Sequence, residues 1–268
     1  MPELSAAALH EALRDLAADP ARHPLLVALD FDGTLAPLQD DPSASRVLPD
    51  GVVALDRLMG AGVRLALVSG RGLSTLAQLA QVPVGTVLIG SHGAERARVL
   101  PFGLDRAVAP LTSEQADLLA QASAQLSGVS RGRNGVWVEA KPTAAVVHTR
   151  LAQPEVGEQA LTEARTVGRR LGVHVLEGKD VVELSVLDAD KGEALTALRD
   201  ELGVRTVLYA GDDLTDEDAL VTLGPGDLGI KVGAGATAAT YRVDDPPALV
   251  AALGVLAEAL GAPADGAR

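Results

Sequence analysis

Asp30 and Asp32 stand two positions apart in Asp30-Phe31-Asp32-Gly33-Thr34, directly after the apolar run Leu25-Leu26-Val27-Ala28-Leu29. On extended backbone that spacing points both carboxylates to one side. The neighbouring Gly33 lets the main chain come close to whatever they bind. Paired carboxylate oxygens suit a hard divalent cation, and a cation held there suits an anionic group such as a phosphate. A calcium loop opens in a similar way but needs Gly at its sixth position and Glu at its twelfth. This chain has Leu35 and Asp41 at those positions, so that reading fails.

Three other apolar runs end in polar groups: Ser69-Gly70-Arg71, Gly90-Ser91-His92-Gly93 and Gly211-Asp212-Asp213. One acid at a strand end is commonly a turn or a cap, but several at once are not explained by caps alone. In Asp212-Asp213-Leu214-Thr215-Asp216-Glu217-Asp218, Thr215 and Asp218 form a capping pattern, and the acids after Thr215 suit a helix N-terminus. Asp212 and Asp213 precede that cap, and like charges so close together are costly without a cation. Metal ligation is therefore assigned to Asp212, with Asp213 and Asp216 behind it. Lys191, in Asp190-Lys191-Gly192, opens a predicted helix, where an ammonium opposes the helix dipole unless it meets an anion; the alternative is a solvated surface lysine. It is one of only four lysines (Lys141, Lys179, Lys191, Lys231) among 23 basic residues, which marks either a need for a compact ammonium or chance. Gly233-Ala234-Gly235 resembles a dinucleotide fingerprint, but it lies too near the C-terminus for the strand and ribose-binding acid that should follow.

The elements that must position these residues alternate. Strands are expected at 25–29, 63–68, 87–89, 204–209 and 228–232, with helices at about 4–17, 50–59, 73–79 and 191–202 and a last one carrying Leu249, Leu253, Leu256 and Leu260. That is the pattern of an α/β, doubly wound parallel sheet, whose ligands bind at the carboxyl ends of the strands. Between them the pattern changes to helix (112–126), hairpin (136–149), helix (154–171) and hairpin (173–186). The chain therefore divides into a core at 1–103 and 188–268 and an inserted α+β domain at 104–187. The two-residue period places Trp137, Glu139, Lys141, His148, Arg150 and Glu183 on the insert sheet's open face. Such a face is either a surface for a polyhydroxylated sugar or a solvated sheet with salt bridges.

Composition narrows the partners. Apolar residues make up 47% of the 268 and charged residues 22%, as in an ordinary globular chain. A net charge of -13 opposes a nucleic-acid groove and an anionic membrane surface. There is no cysteine for disulfides or thiolate metal sites. The N-terminal residues include Glu3, Glu11 and Asp15 and lack the basic start of a secretory signal, and the apolar run 248–257 is too short to span a bilayer. A cytoplasmic location is expected.

In order along the chain, Asp30-Phe31-Asp32-Gly33-Thr34-Leu35, Ser69-Gly70-Arg71, Gly90-Ser91-His92-Gly93, Gly178-Lys179-Asp180-Val181-Val182-Glu183-Leu184, Asp190-Lys191-Gly192 and Gly211-Asp212-Asp213-Leu214-Thr215-Asp216-Glu217 resemble the motifs of the haloacid-dehalogenase-like (HAD) phosphatases, and within them the trehalose-6-phosphate phosphatases. The resemblance implies a HAD-like core with a cap, and Asp30 as nucleophile forming an aspartyl-phosphate. It implies Asp32 as general acid and then base, and Mg²⁺ held by Asp30, the Asp32 carbonyl and Asp212. It further implies phosphoryl oxygens bound by Ser69, Gly70 and Lys191, and sugar contacts from Glu139, Lys141, Arg150, Lys179 and Glu183. The implied substrate is trehalose 6-phosphate, or alternatively another sugar phosphate such as sucrose phosphate or a phosphohexose.

Overall fold

A computed structural model of the chain describes residues 6–107, 111–178 and 180–261. In chain order the elements are α1 (Ala6–Ala18), β1 (Leu25–Leu29), α2 (Pro49–Gly60), β2 (Arg64–Val68), α3 (Leu73–Leu79), β3 (Val87–Gly90), β4 (Glu95–Leu100), β5 (Gly103–Ala107), α4 (Ser113–Ser130), β6 (Trp137–Ala140), β7 (Ala144–His148) and α5 (Pro154–Leu171). They continue with β8 (His174–Gly178), β9 (Val181–Ser185), α6 (Lys191–Leu202), β10 (Thr206–Gly211), α7 (Asp216–Leu220), β11 (Leu228–Val232), β12 (Tyr241–Val243) and α8 (Pro246–Ala259). Two compact units result: Met1–Val108 with Ala189–Arg268, and Ala109–Asp188.

The larger unit is built on an eight-stranded sheet in the order β12-β11-β10-β1-β2-β3-β4-β5. Its first six strands are parallel, and β4 and β5 close one edge as an antiparallel hairpin. β1 sits in the middle, buried along its whole length. Its alternate residues feed two cores. Leu25, Val27 and Leu29 pack with leucines of α1, α2, α3 and α8, while Leu26 and Ala28 pack with Leu195 and Leu198 of α6 and Leu220 of α7. Helices therefore cover both faces, the arrangement expected of an α/β wound sheet.

That alternation decides where the next residues go. Asp30 continues on the side of Leu26 and Ala28, toward α6 and α7, and its N–H extends the ladder by donating to the Ala210 carbonyl at 2.9 Å. Phe31 takes the other side and is fully buried in the first core. The chain then turns: the Gly33 N–H donates to the Ala36 carbonyl at 2.7 Å, and the Leu35 and Ala36 N–H groups donate to the Phe31 carbonyl. The strand period consequently ends before Asp32. β10 begins at Thr206, two residues later than its apolar run suggests, because its register with β1 starts at Leu25↔Thr206.

The smaller unit is a four-stranded antiparallel sheet, β6-β7-β9-β8, with α4 and α5 on one face. Ala145, Val147, Val182 and Leu184 face the helices and pack with Ala122 and Leu126 of α4 and Ala160 and Ala164 of α5. A capping box starts α4, in which Thr112 accepts from the Gln115 N–H and Gln115 accepts from the Thr112 N–H. Gly172, in the left-handed conformation, ends α5. No helix among the described residues is long and apolar enough to cross a membrane.

Leu126 is fully buried at the centre of the smaller core. Leu126→Ala should cost about 2–5 kcal/mol through lost contacts and the cavity left behind, read as a lower midpoint in urea unfolding.

Candidate active site

The site of the larger unit is assembled where β1, β2 and β10 end, and a lysine ties its acids together. Lys191, the first residue of α6, is 1% exposed. Its Nζ lies 2.8 Å from Asp30 Oδ1 and 2.8 Å from Asp216 Oδ1. Its place on the first turn of α6 is unfavourable to an ammonium, and the two carboxylates offset that. Asp190 caps the helix instead, accepting from the Glu193 N–H at 2.7 Å. Despite burial, the charges of Asp30 and Asp216 raise the Lys191 pKa, so the group stays charged.

Asp216 is fully buried and its oxygens are saturated. Oδ1 accepts from Lys191 and from the Tyr209 hydroxyl at 2.6 Å. Oδ2 accepts from the N–H groups of Asp212 at 2.9 Å and Asp213 at 3.0 Å. A carboxylate holding four donors has no lone pair free for an ion, so it shapes the loop that carries Asp212. Gly211 makes this possible: a Cβ there would lie 2.1 Å from Asp216 Cγ. Burial first, then the charge of Asp216, raises the Tyr209 pKa, which keeps the phenol a donor.

Lys231 supports the same loop from β11. Its buried Nζ donates to the carbonyls of Asp212 at 2.6 Å and Asp213 at 3.2 Å and lies 3.6 Å from Glu217. Glu217 in turn accepts from the Ala238 N–H at 2.8 Å, which ties the Gly233–Ala239 loop to α7. Asp213 serves as the cap of α7: its Oδ1 accepts from the N–H groups of Thr215 and Asp216 and from the Thr215 hydroxyl. The capping role expected of Thr215 falls to Asp213, because the Thr215 side chain makes no cap bond. Against burial, the Lys191 charge and the Thr215 hydrogen bonds lower the Asp213 pKa.

Asp212 is left facing the site with one long side-chain contact, from the Thr34 hydroxyl at 3.4 Å. The glycine after Asp32 explains how close the two loops come. Gly33 has φ +76°, and a Cβ there would lie 2.0 Å from Asp212 Oδ2. Oxygens of Asp30, Asp212 and Asp216 lie within 4.8 Å of one another. Burial, then the neighbouring acids, pushes the Asp212 pKa up to about 6. Burial likewise raises that of Asp30, although Lys191 opposes it. Asp30 and Asp212, whose oxygens are not saturated, form an all-oxygen donor pair in a cluster with more negative charge than Lys191 neutralises, which is what a hard divalent cation would complete.

The remaining predicted residues lie on the adjoining strand end. Ser69 is buried after β2; its carbonyl accepts from the His92 N–H at 3.1 Å and its Oγ from the Arg71 N–H at 3.2 Å. Gly70 packs against the His92 imidazole, where a Cβ would come within 2.6 Å of the ring. The Asp32 side chain is 29% exposed and paired with Arg71, a residue given no role from sequence. Tyr209 was also missed, because inside an apolar run its hydroxyl carries no pattern of its own. Lys231 had one signal, the rarity of lysine in this chain.

In the smaller unit, Glu139, Val146 and Glu183 form a cross-strand row. Lys141 Nζ lies 2.7 Å from Glu183 Oε2, and both side chains are largely buried. His148 and Glu139 are 2.9 Å apart, and Trp137 stacks on His148 with ring centroids 4.8 Å apart. The His148 hydrogen bond and, against burial, the Lys141 charge lower the Glu139 pKa. Arg150 is exposed just after β7. Lys179 lies outside the described residues.

The family model described as trehalose-phosphatase matches residues 28–247. A trehalose-phosphate phosphatase of Mycobacterium marinum is 36% identical over 250 residues, covering 87% of this chain and 62% of that protein. An uncharacterized glycosyl hydrolase of Mycobacterium tuberculosis is 37% identical over 233 residues, covering 82% of this chain and 17% of that protein. The chain thus spans less than two thirds of these relatives. Among solved structures, a trehalose-6-phosphate phosphatase related protein superposes with a TM-score of 0.69 at 25% identity, covering 87% of this chain and 97% of that one. The C-terminal domain of Candida albicans trehalose-6-phosphate phosphatase shares the fold, with a TM-score of 0.72 at 22% identity and coverage of 96% and 98%. With most of its length matched, from the strand before Asp30 to the start of the last helix, this chain belongs to the trehalose-phosphatase family.

Proposed function

We propose that the chain is a Mg²⁺-dependent phosphatase that hydrolyses trehalose 6-phosphate to trehalose and phosphate. The observation that carries this reading is the cluster of Asp30, Lys191, Asp212 and Asp216 in a chain of this family. Asp30 is the nucleophile, its carboxylate directed by Lys191, and attack on phosphorus gives an aspartyl-phosphate. Asp32 gives a proton to the departing sugar oxygen and later takes one from the hydrolytic water. The Ser69 hydroxyl, the Gly70 N–H and Lys191 bind phosphoryl oxygens. Asp30, the Asp32 carbonyl and Asp212 would hold a Mg²⁺, which would supply the positive charge that lets an anionic nucleophile meet an anionic phosphate. Asp213 and Asp216 keep Asp212 in place through the loop bonds they make.

The insert acts as the sugar-binding cap. Glu139, Lys141, Arg150, Lys179 and Glu183 bind the sugar hydroxyls; the Lys141–Glu183 pair sets a donor beside an acceptor. The acidic surface suits a small-molecule substrate in the cytoplasm, with no nucleic acid or membrane as partner.

Phosphate release from trehalose 6-phosphate should require Mg²⁺, stop with a chelator and return when Mg²⁺ is restored. A panel including sucrose phosphate and phosphohexoses should give lower kcat/KM; a better substrate among them would reassign the enzyme. Asp30→Asn should lower kcat more than about 10³-fold while the protein stays folded by circular dichroism. Glu183→Ala should lower kcat/KM for trehalose 6-phosphate, and unchanged kinetics would remove the insert from the site. Lys191→Met leaves two buried carboxylates without their cation and should cost about 3–5 kcal/mol, seen as a lower thermal midpoint.

A further inference from the structure

Arg71 has no part in the chemistry above, yet its guanidinium takes both oxygens of Asp32. Nε lies 2.5 Å from Oδ2 and Nη2 lies 2.7 Å from Oδ1, the two-pronged fit of a guanidinium to a carboxylate. The fork is itself braced. Nη2 also donates to Ser45 Oγ at 2.9 Å, and Ser45 is 1% exposed on the loop before α2. The guanidinium carbon sits 5.5 Å from the centre of the Phe31 ring, which is fixed in the first core. The Arg71 N–H is held by Ser69 Oγ. Asp32 is thus aimed from behind by a fixed cation while its own side chain stays partly open to solvent.

Asp32 needs this more than the other acids. Asp30 and Asp216 are locked by Lys191, whereas Asp32 sits in a turn beyond the strand and outside the three-acid cluster. A carboxyl group that protonates a leaving oxygen needs a fixed direction and something to stabilise the charge left on it. A guanidinium does both without competing as an acid, since it stays protonated at any working pH.

We propose that Arg71, braced by Ser45 and the Phe31 ring, is a positioning residue for Asp32. It orients the carboxyl group and stabilises the carboxylate that remains once the proton has gone. The inference rests on the reading of Asp32 as general acid. In the step concerned an Asp30 oxygen bonds to phosphorus and the bond from phosphorus to the sugar oxygen breaks, its electron pair staying on that oxygen. The Asp32 proton passes to the same oxygen, leaving an alcohol, an aspartyl-phosphate and an ionised Asp32. Water then gives a proton back to Asp32 and bonds to phosphorus while the bond from phosphorus to the Asp30 oxygen breaks, its electron pair returning Asp30 to a carboxylate and freeing inorganic phosphate. Attraction to Arg71 grows as the first proton leaves, so the interaction favours the transition state over the ground state.

The contribution must therefore depend on the leaving group. A sugar alkoxide needs the proton; p-nitrophenolate departs without it. The test compares kcat/KM, which reports events through the first phosphoryl transfer, for trehalose 6-phosphate and p-nitrophenyl phosphate with Mg²⁺. Arg71→Gln should lose about 10- to 100-fold on trehalose 6-phosphate and far less on the aryl ester. Arg71→Lys, which keeps the charge but not the fork, should recover part of the loss. Ser45→Ala should show a smaller loss with the same selectivity, and it decides the matter should Arg71→Gln fail to fold. Asp32→Asn should be selective in the same sense and more severe. Equal losses on both esters, or none, in the Arg71 and Ser45 variants beside a selective Asp32→Asn would overturn the inference alone. An unselective Asp32→Asn would overturn the general-acid reading and the inference with it. No turnover of trehalose 6-phosphate by the unaltered chain would instead refute the proposed substrate.

Discussion

One buried ammonium holds this site together. Lys191 lies between Asp30 and Asp216, carboxylates supplied by two different strand-to-helix connections, and all three groups are nearly without solvent. Removing the lysine would leave two carboxylates uncompensated in a medium that solvates them poorly. The contact therefore joins β1, the start of α6 and the loop after β10 in a single arrangement. The remaining groups depend on that arrangement. Asp216 can gather the loop N–H groups only because its negative charge is tolerated, and Asp212 faces the crevice only because that loop is gathered.

Division of labour among the acids follows from how many donors each already holds. Asp216 has four and Asp213 has three, so both act on backbone geometry. Asp212 has one weak contact, and Asp30 has Lys191 on one oxygen. These two retain the lone pairs that a cation or a phosphorus centre requires. Burial first, and the neighbouring acids after it, raise the pKa values of Asp30 and Asp212, the latter to about 6.

Much of this was legible from residue order. The apolar run before Asp30, the acids at later strand ends and the out-of-place Lys191 each carry a physical oddity that a folded chain would not keep without a partner. The hairpin of β4 and β5 escaped because it closes the sheet edge: its strands expose Leu100, Asp105, Arg106 and Ala107, and only part of its residues turn inward, so no clean two-residue period survives. β12 is three residues long and offers even less. Arg71 was hidden for a different reason. Its importance lies in a partner 39 positions away, and no local spacing announces a contact made across two strand ends.

The position of Phe31 between the two acids has a consequence for how this chain can change over time. Odd-numbered residues of β1 belong to one layer and even-numbered ones to the other, and Phe31 anchors that count at the end of the strand. Inserting or deleting one residue within 25–31 would reverse every assignment at once, sending an acid into oil and a leucine into the crevice. Length variation among descendants should thus be confined to segments such as 37–49, where no such parity is kept, while the strand itself drifts only by substitution.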